Sequence, residues 1–366
     1  MRIGRKILSA LTAPLVAVVA AVIITSLVVL MVGSSPADFW RVIVSRPPDR
    51  AWVNITNQTS MLYLSAIAAA IGFRMNLFNI GVEGQYRIAS ITGAAFAGAA
   101  WLPGTLNIIA ALLVAMLVGA AWSGIAAILR VTRGVSEVIS TIMLNAIAVS
   151  LAGYFINTFG QKYGSGRRTV PLSPSSDFLG WHPPFLDQGS GNVWTLDILA
   201  VLVGVGFWVL LTRTRFGFDL RATGMSESAA VASGVNPKKM ILVAMLMSGA
   251  VAGLIWMPAL FNGSTHYYGP TFQDQLGFTG IAVALLGRNQ PLGITFGAVL
   301  FAFLNEQSNR LTLETNINPD VIQISQGVIV LAVVIAYVVV RRRAEAAEQH
   351  AVMQKLEGSS SEAVSA

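Results

Sequence analysis

Residues Phe78 to Gln85 read FNIGVEGQ, and Arg74, Asn76, Asn79, Glu83, Gln85 and Arg87 all fall within fourteen positions. Carboxamides donate and accept hydrogen bonds at once, a phenyl ring offers a π-face, and a carboxylate near a guanidinium can form an ion pair. Such a set suits contact with a neutral polar solute, or it holds the chain to itself. The flanks are apolar, LYLSAIAAAIGF (62–73) before and IASITGAAFAGAA (88–100) after. The polar cluster is therefore either a loop between two membrane spans or a break inside one. Gly81 and Gly84 allow an unwound turn, whose freed backbone groups must face protein or a cavity rather than lipid. The spacing of the apolar runs places Phe78–Gln85 at the end of a span or within it, too close to the next span for a free loop. A further amide, Asn145, stands mid-run in STIMLNAIAVS, where it needs a partner. That partner is either another helix or a passing solute. For Arg74 and Glu83 the expected role is a structural ion pair fixing the broken span.

Other chemistries have no residues to carry them. No G-x-x-x-x-G-K-[ST] occurs, and none of the five lysines has the neighbours a phosphate-binding loop needs. His182, His266 and His350 are far apart and form no ligand pattern, so no metal site is expected. Cysteine is absent, which removes disulfides, thiolate metal sites and dithiol redox chemistry. The chain is read as no enzyme.

Composition sets the class. The 366 residues are 54% hydrophobic and only 11% charged, against roughly 25% charged in soluble domains. The expected fold is an all-α polytopic membrane protein. Runs near the roughly 20 residues that a span requires lie at 8–32, 60–80, 86–102, 106–129, 135–158, 194–212, 239–260, 276–290, 291–308 and 321–340, about ten helices with two short or interrupted. The apolar run from Ile7 to Val32 is too long for a secretory signal and reads as a first span. With a cytoplasmic N-terminus, 16 Lys and Arg fall on inside segments, Arg87 among them, against 7 outside, and Arg74 falls within a span. This charge bias supports both termini inside. The net charge of +7 thus reflects membrane orientation, and no nucleic-acid partner is expected; membrane lipid is. Residues 1–343 make one transmembrane domain, and 344–366 a polar cytoplasmic tail. Outside, 34–59 contains an amphipathic stretch (FWRVIV) and a turn (PPDRAW), and 159–193, rich in Gly, Ser and Pro, forms an irregular cap. Gly249-AVA-Gly253, Gly293-ITF-Gly297 and GAAFAGAA (93–100) are small-residue faces that let helices approach closely.

The loop 213–240, RTRFGFDLRATGMSESAAVASGVNPKKM with its flanking Arg213, has helix grammar. Ser226 caps a short helix with Glu227 in its first turn. Gly234 ends it in the left-handed position, and Asn236 with Pro237 opens the next helix. The small face Ala229, Ala230, Ala232 suits docking into a groove on a partner.

Together RFGFDLRATGMSESAAVASGVNPKKM, FRMNLFNIGVEGQ, RGVSEVISTIMLNAIA and GFTGIAVALLGRNQPLGI resemble the ABC-transporter permeases of the simple-sugar and nucleoside group, within the superfamily of ribose and branched-chain amino acid importers. The resemblance runs from about 60 to 340, and FNIG-x-EGQ with ALLGRNQP resembles the nucleoside branch. It implies a bacterial inner-membrane subunit that moves nucleosides, with simple sugars as the alternative. It also implies two pseudo-symmetric halves, with spans two to five matching seven to ten. In that group the loop after the central span rests on the ATPase, which makes Arg221, Gly224, Ser226, Glu227, Ala229, Ala230 and Gly234 the implied coupling residues. The implied partners are an ABC ATPase subunit that binds ATP–Mg, a second homologous permease in a heterodimer, and a substrate-binding lipoprotein or periplasmic protein. No cofactor belongs to this chain. A nucleoside is neutral, with hydroxyls and a π-face, so Asn76, Phe78, Asn79, Glu83, Gln85 and Asn145 are the expected pathway residues. The rival from another class is an ion-coupled secondary transporter, for which Glu83 and Glu137 would be the membrane carboxylates.

Overall fold

The computed structural model describes residues 19–332 and 335, except 174–177, 179, 188, 264, 316, 318 and 319. The polar tail 344–366 and the first part of the expected 8–32 span lie outside the described residues. Residues 46–307 form one compact unit; the residues flanking them on both sides form another. In the flanking unit, α1 (Val19–Met31) is followed by α2 (Pro36–Val44), the expected amphipathic stretch, which is capped by Ser35 and buries Phe39, Val42 and Ile43. The Trp40 indole donates to Ser26 Oγ at 2.9 Å and ties α2 to α1.

The larger unit is helical: α3 (Asp49–Phe73), α4 (Val82–Ala99), α5 (Gly104–Arg133), α6 (Glu137–Phe159), α7 (Ile198–Arg213), α8 (Arg215–Met225), α9 (Glu227–Ala232), α10 (Pro237–Gly253), α11 (Met257–Asn262), α12 (Leu276–Leu286) and α13 (Pro291–Glu314), which runs on past its boundary. A last helix, α14 (Asp320–Ala332), follows. Among the described residues, four stretches are long and apolar enough to cross a bilayer: Gly104–Arg133, Glu137–Phe159, Thr195–Arg213 and Pro237–Asn262. The protein is a polytopic helical membrane protein.

Close backbone approach holds the middle of the unit together. Gly249 on α10 faces Gly119 on α5 so tightly that a Cβ on either would overlap the other's carbonyl. Lipid tails are as apolar as side chains, so this close contact does what hydrophobic burial does in water. The Gly249–Gly253 pair read from the sequence is this interface.

Three elements differ from the sequence reading. The helix expected at 60–80 is Asp49–Phe73, because its polar NITNQTS turn is used within the protein: Asn57 accepts from Trp194 N and donates to Asn192 O. PPDRAW is accordingly the start of a helix rather than a turn. The span expected at 276–290 is an 11-residue half-helix, about 16 Å at 1.5 Å per residue. The cap at 159–193 is not wholly irregular: Gln161–Tyr163 and Gly166–Arg168 pair as an antiparallel hairpin, β1 and β2.

Candidate functional site

Two non-helical stretches meet inside the larger unit. The first, 74–81, turns the chain back after α3. Leu77 N–H donates to Gly72 O, and Asn76 takes a left-handed φ of 58°, which asparagine tolerates better than most residues. The chain then runs back along α3 rather than leaving the bundle. Asn79, fully buried, makes a reciprocal amide pair with Gln85 (2.9 and 3.1 Å), accepts from Gly81 N at 3.0 Å, and donates to Ser248 Oγ at 2.7 Å. The Ser248 hydroxyl in turn donates to Ala68 O at 2.6 Å.

Asn145 on α6 completes the break. Its Nδ2 donates to Ile80 O at 2.9 Å and its Oδ1 accepts from Gly84 N at 2.9 Å. A continuous helix would pair that carbonyl with that amide; here one side-chain amide is inserted between them. The break is thus sealed by protein groups, as membrane interiors require. Phe78 N–H reaches Glu137 Oε1 at 3.4 Å, and the other carboxylate oxygen meets Arg130 at 3.4 Å.

The second stretch, 263–275, leads into α12. Glu83, 4% exposed, accepts from Gln275 N and Gly277 N, both at 3.0 Å. A carboxylate on α4 therefore caps α12, using two of the amides that a helix N-terminus leaves unpaired and the favourable end of its dipole. The expected Arg74–Glu83 ion pair does not form. Glu83 pairs instead with Arg87 at 3.4 Å, one turn along the same helix. Arg74 Nε donates to Asn289 O at 2.9 Å, in the turn between α12 and α13. Arg87, expected on an inside segment between spans, lies on α4 instead and bonds Asp274 at 2.5 Å.

Of the six expected pathway residues, Asn79, Glu83, Gln85 and Asn145 are buried with these partners, whereas Asn76 and Phe78 are exposed. Sequence reasoning missed Ser248, Asp274 and Gly277, which meet this cluster from α10, the stretch before α12 and α12 itself, more than 160 positions away. The two hydrogen bonds of Asn145 to the broken helix need the fold as well. Among the described residues no group of three His, Cys, Asp or Glu could hold a metal.

The loop after α7 folds as its grammar implies. Ser226 Oγ accepts from Ala229 N at 3.3 Å, Gly234 has φ +80°, and Asn236 Oδ1 accepts from Lys239 N at 3.2 Å. An additional helix, α8, was missed because its mixed sequence has no long apolar face; Thr214 caps it. Glu227, Ala229 and Gly234 are exposed, Ser226, Arg221 and Gly224 half-buried, and Ala230 buried. Arg221 donates to the Leu211 carbonyl. Gly224 lies on the backbone of the first break: a Cβ there would be 2.9 Å from Arg74 O and from Met75 Cα. The larger apolar surface is Phe218, Met225 and Val231, at 63%, 89% and 58% exposure.

Residues 51–339 match the family described as branched-chain amino acid transport system permease components. The chain belongs to this family. Such components are transport subunits rather than enzymes. Similar relatives include the guanosine ABC transporter permease protein NupP of Bacillus subtilis, 32% identical over 91% of this chain and 96% of that one. The nucleoside ABC transporter permease protein NupB of Lactococcus lactis is 29% identical over 89% and 91%. The glucose ABC transporter permease protein TsgB13 of Haloferax volcanii is 27% identical over 87% and 85%.

Proposed function

We propose that this permease is one of two membrane subunits of an ATP-driven importer that carries nucleosides delivered by a binding protein. The observation that carries the coupling half of this reading is Gly224. The loop that would receive an ATPase subunit rests, through this glycine, on the backbone of the 74–81 break. A displacement of α9 on ATP-driven closure therefore moves α8 and presses on Arg74–Met75. Arg74 transmits the push to the α12–α13 turn through Asn289, and Glu83 holds the other end of α12 to α4. Phe218, Met225, Val231, Ala229 and Glu227 form the docking face, while Arg221, Gly224 and Ala230 hold its shape. ATP–Mg sits on the partner ATPase.

The reading places the termini and the 213–240 loop in the cytoplasm of a bacterium, with about ten spans in two pseudo-symmetric halves across the inner membrane. The second permease is a homologue rather than a copy. The nucleoside assignment is supported by NupP and NupB, each of which is covered almost end to end. Ion coupling is disfavoured because Glu83 and Glu137, its candidate carboxylates, are both committed to arginine and backbone partners.

Uptake of labelled nucleosides and pentoses into cells expressing the whole operon, with and without this subunit, tests the proposal. Nucleoside uptake that depends on the subunit is expected. Uptake of pentoses alone would move the assignment to simple sugars, and uptake independent of the ATPase would overturn it.

A further inference from the structure

The Arg87–Asp274 pair lies where a charge should not face lipid. Pro237–Asn262 forms one crossing of 26 residues, and Ser248, near its middle, holds Asn79. Asn145, which seals the same break, is likewise near the middle of α6. Arg87 sits one turn beyond the start of α4, about 8 Å along at 1.5 Å per residue. That keeps it inside a hydrocarbon core of about 30 Å. Yet the Asp274 side chain is 57% exposed, against 13% for Arg87. Charged groups at this depth face a bundle interior or a water-filled cavity. This face of the permease is therefore an aqueous one.

Its chemistry is specific. Asp274 Oδ1 is held by Arg87, whose guanidinium also lies over the Phe272 ring, 5.3 Å from its centroid. Arg87 Nε is buried without a hydrogen-bond partner. Phe272 is braced by Tyr86 and Tyr268, at 5.3 and 4.5 Å between ring centres. Glu83, which caps α12, shares Arg87 with Asp274, so the cluster sets carboxylate acceptors and guanidinium donors side by side. It offers two hydroxyls on adjacent carbons a carboxylate to donate to, and weak binding is what passage requires.

We propose that Arg87 and Asp274 form a way-station for the vicinal diol of the solute, the ribose hydroxyls of a nucleoside, on the translocation path. This deepens the transport reading above and rests on it.

The chain contains no cysteine, so labelling read on this subunit's own band reports a single introduced thiol alone. In vesicles carrying the complete importer, Asp274→Cys should react with a membrane-impermeant thiosulfonate at least tenfold faster than Leu117→Cys on the exposed apolar face of α5. In Thr271→Cys, an exposed position three residues before an intact Asp274, guanosine added directly, without binding protein, should slow the reaction about threefold or more, and 2′,3′-dideoxyguanosine should not. In uptake assays Asp274→Asn should lose at least tenfold, with partial recovery in Asp274→Glu. An unreactive thiol, or equal slowing by both nucleosides, overturns the diol station. Wild-type vesicles that accumulate no nucleoside overturn the nucleoside reading instead, and protection by a pentose would then keep the station and change the substrate.

Discussion

Glu83 and Gly277 belong to different helices but share one position. The Gly277 amide donates to Glu83 Oε2 at 3.0 Å, and a Cβ on Gly277 would come to 2.5 Å from Glu83 Cα. The cap works only because the residue it caps has no side chain. Glu83→Gln keeps the shape but leaves one of two buried amides without an acceptor, a loss of about 1–3 kcal/mol. Gly277→Ala must push α12 away from α4 and lose both bonds. Thermal unfolding in detergent should rank wild type above Glu83→Gln and Glu83→Gln above Gly277→Ala. Equal stability of all three would remove the cap from the account.

Asn145 can be separated from a solute-contacting role by the same kind of measurement. Asn145→Leu fills the space but orphans Ile80 O and Gly84 N, each at a cost of about 1–3 kcal/mol. Asn145→Asp keeps the acceptor for Gly84 N and loses only the donor. The expected order of melting is wild type, Asn145→Asp, Asn145→Leu, with uptake falling in parallel. A variant that melts like wild type yet transports nothing would restore Asn145 to the path.

What the sequence showed depended on how far apart the partners are. Ser226, Gly234, Asn236 and Pro237 act on neighbours three or four positions away, so capping rules placed α9 and the start of α10 correctly. The hairpin at 161–168 was equally local, with Gly164-Ser165 as its turn signal, yet the Gly, Ser and Pro content of 159–193 led to the expectation of an irregular cap instead. The two breaks were visible as glycine and polar residues in apolar surroundings. Their content was not visible. Glu83 was paired with Arg74 because both stand in one cluster, but the chain reverses at Asn76 and Arg74 ends beside Asn289, 215 positions away. Amides that looked suited to a solute turned out to be the partners of backbone groups freed by the break, which only the fold reveals.

Gly224 tests the transmission of force. Gly224→Val places two methyls against the Arg74–Met75 backbone, where even a Cβ at 2.9 Å demands a shift. The docking face is untouched, so ATPase subunits should still co-purify, while ATP hydrolysis loses its stimulation by loaded binding protein and uptake drops at least tenfold. Normal stimulated hydrolysis would show that this contact carries no signal.

Met225 and Val231 test the docking face itself. Both side chains are more than half exposed on helices whose own packing uses Leu220 and Ala230 instead, both buried. An exposed apolar pair costs this chain nothing to replace, so Met225→Glu with Val231→Glu should insert and melt like wild type. On a partner it replaces buried apolar contacts with two unpaired charges, and burying an unpaired charge is strongly unfavourable. Co-purification of the ATPase subunit should fall at least tenfold, and uptake with it. Deletion of 226–233 should do the same but more completely. Retention of the ATPase by the double glutamate variant would move the docking face elsewhere on the loop.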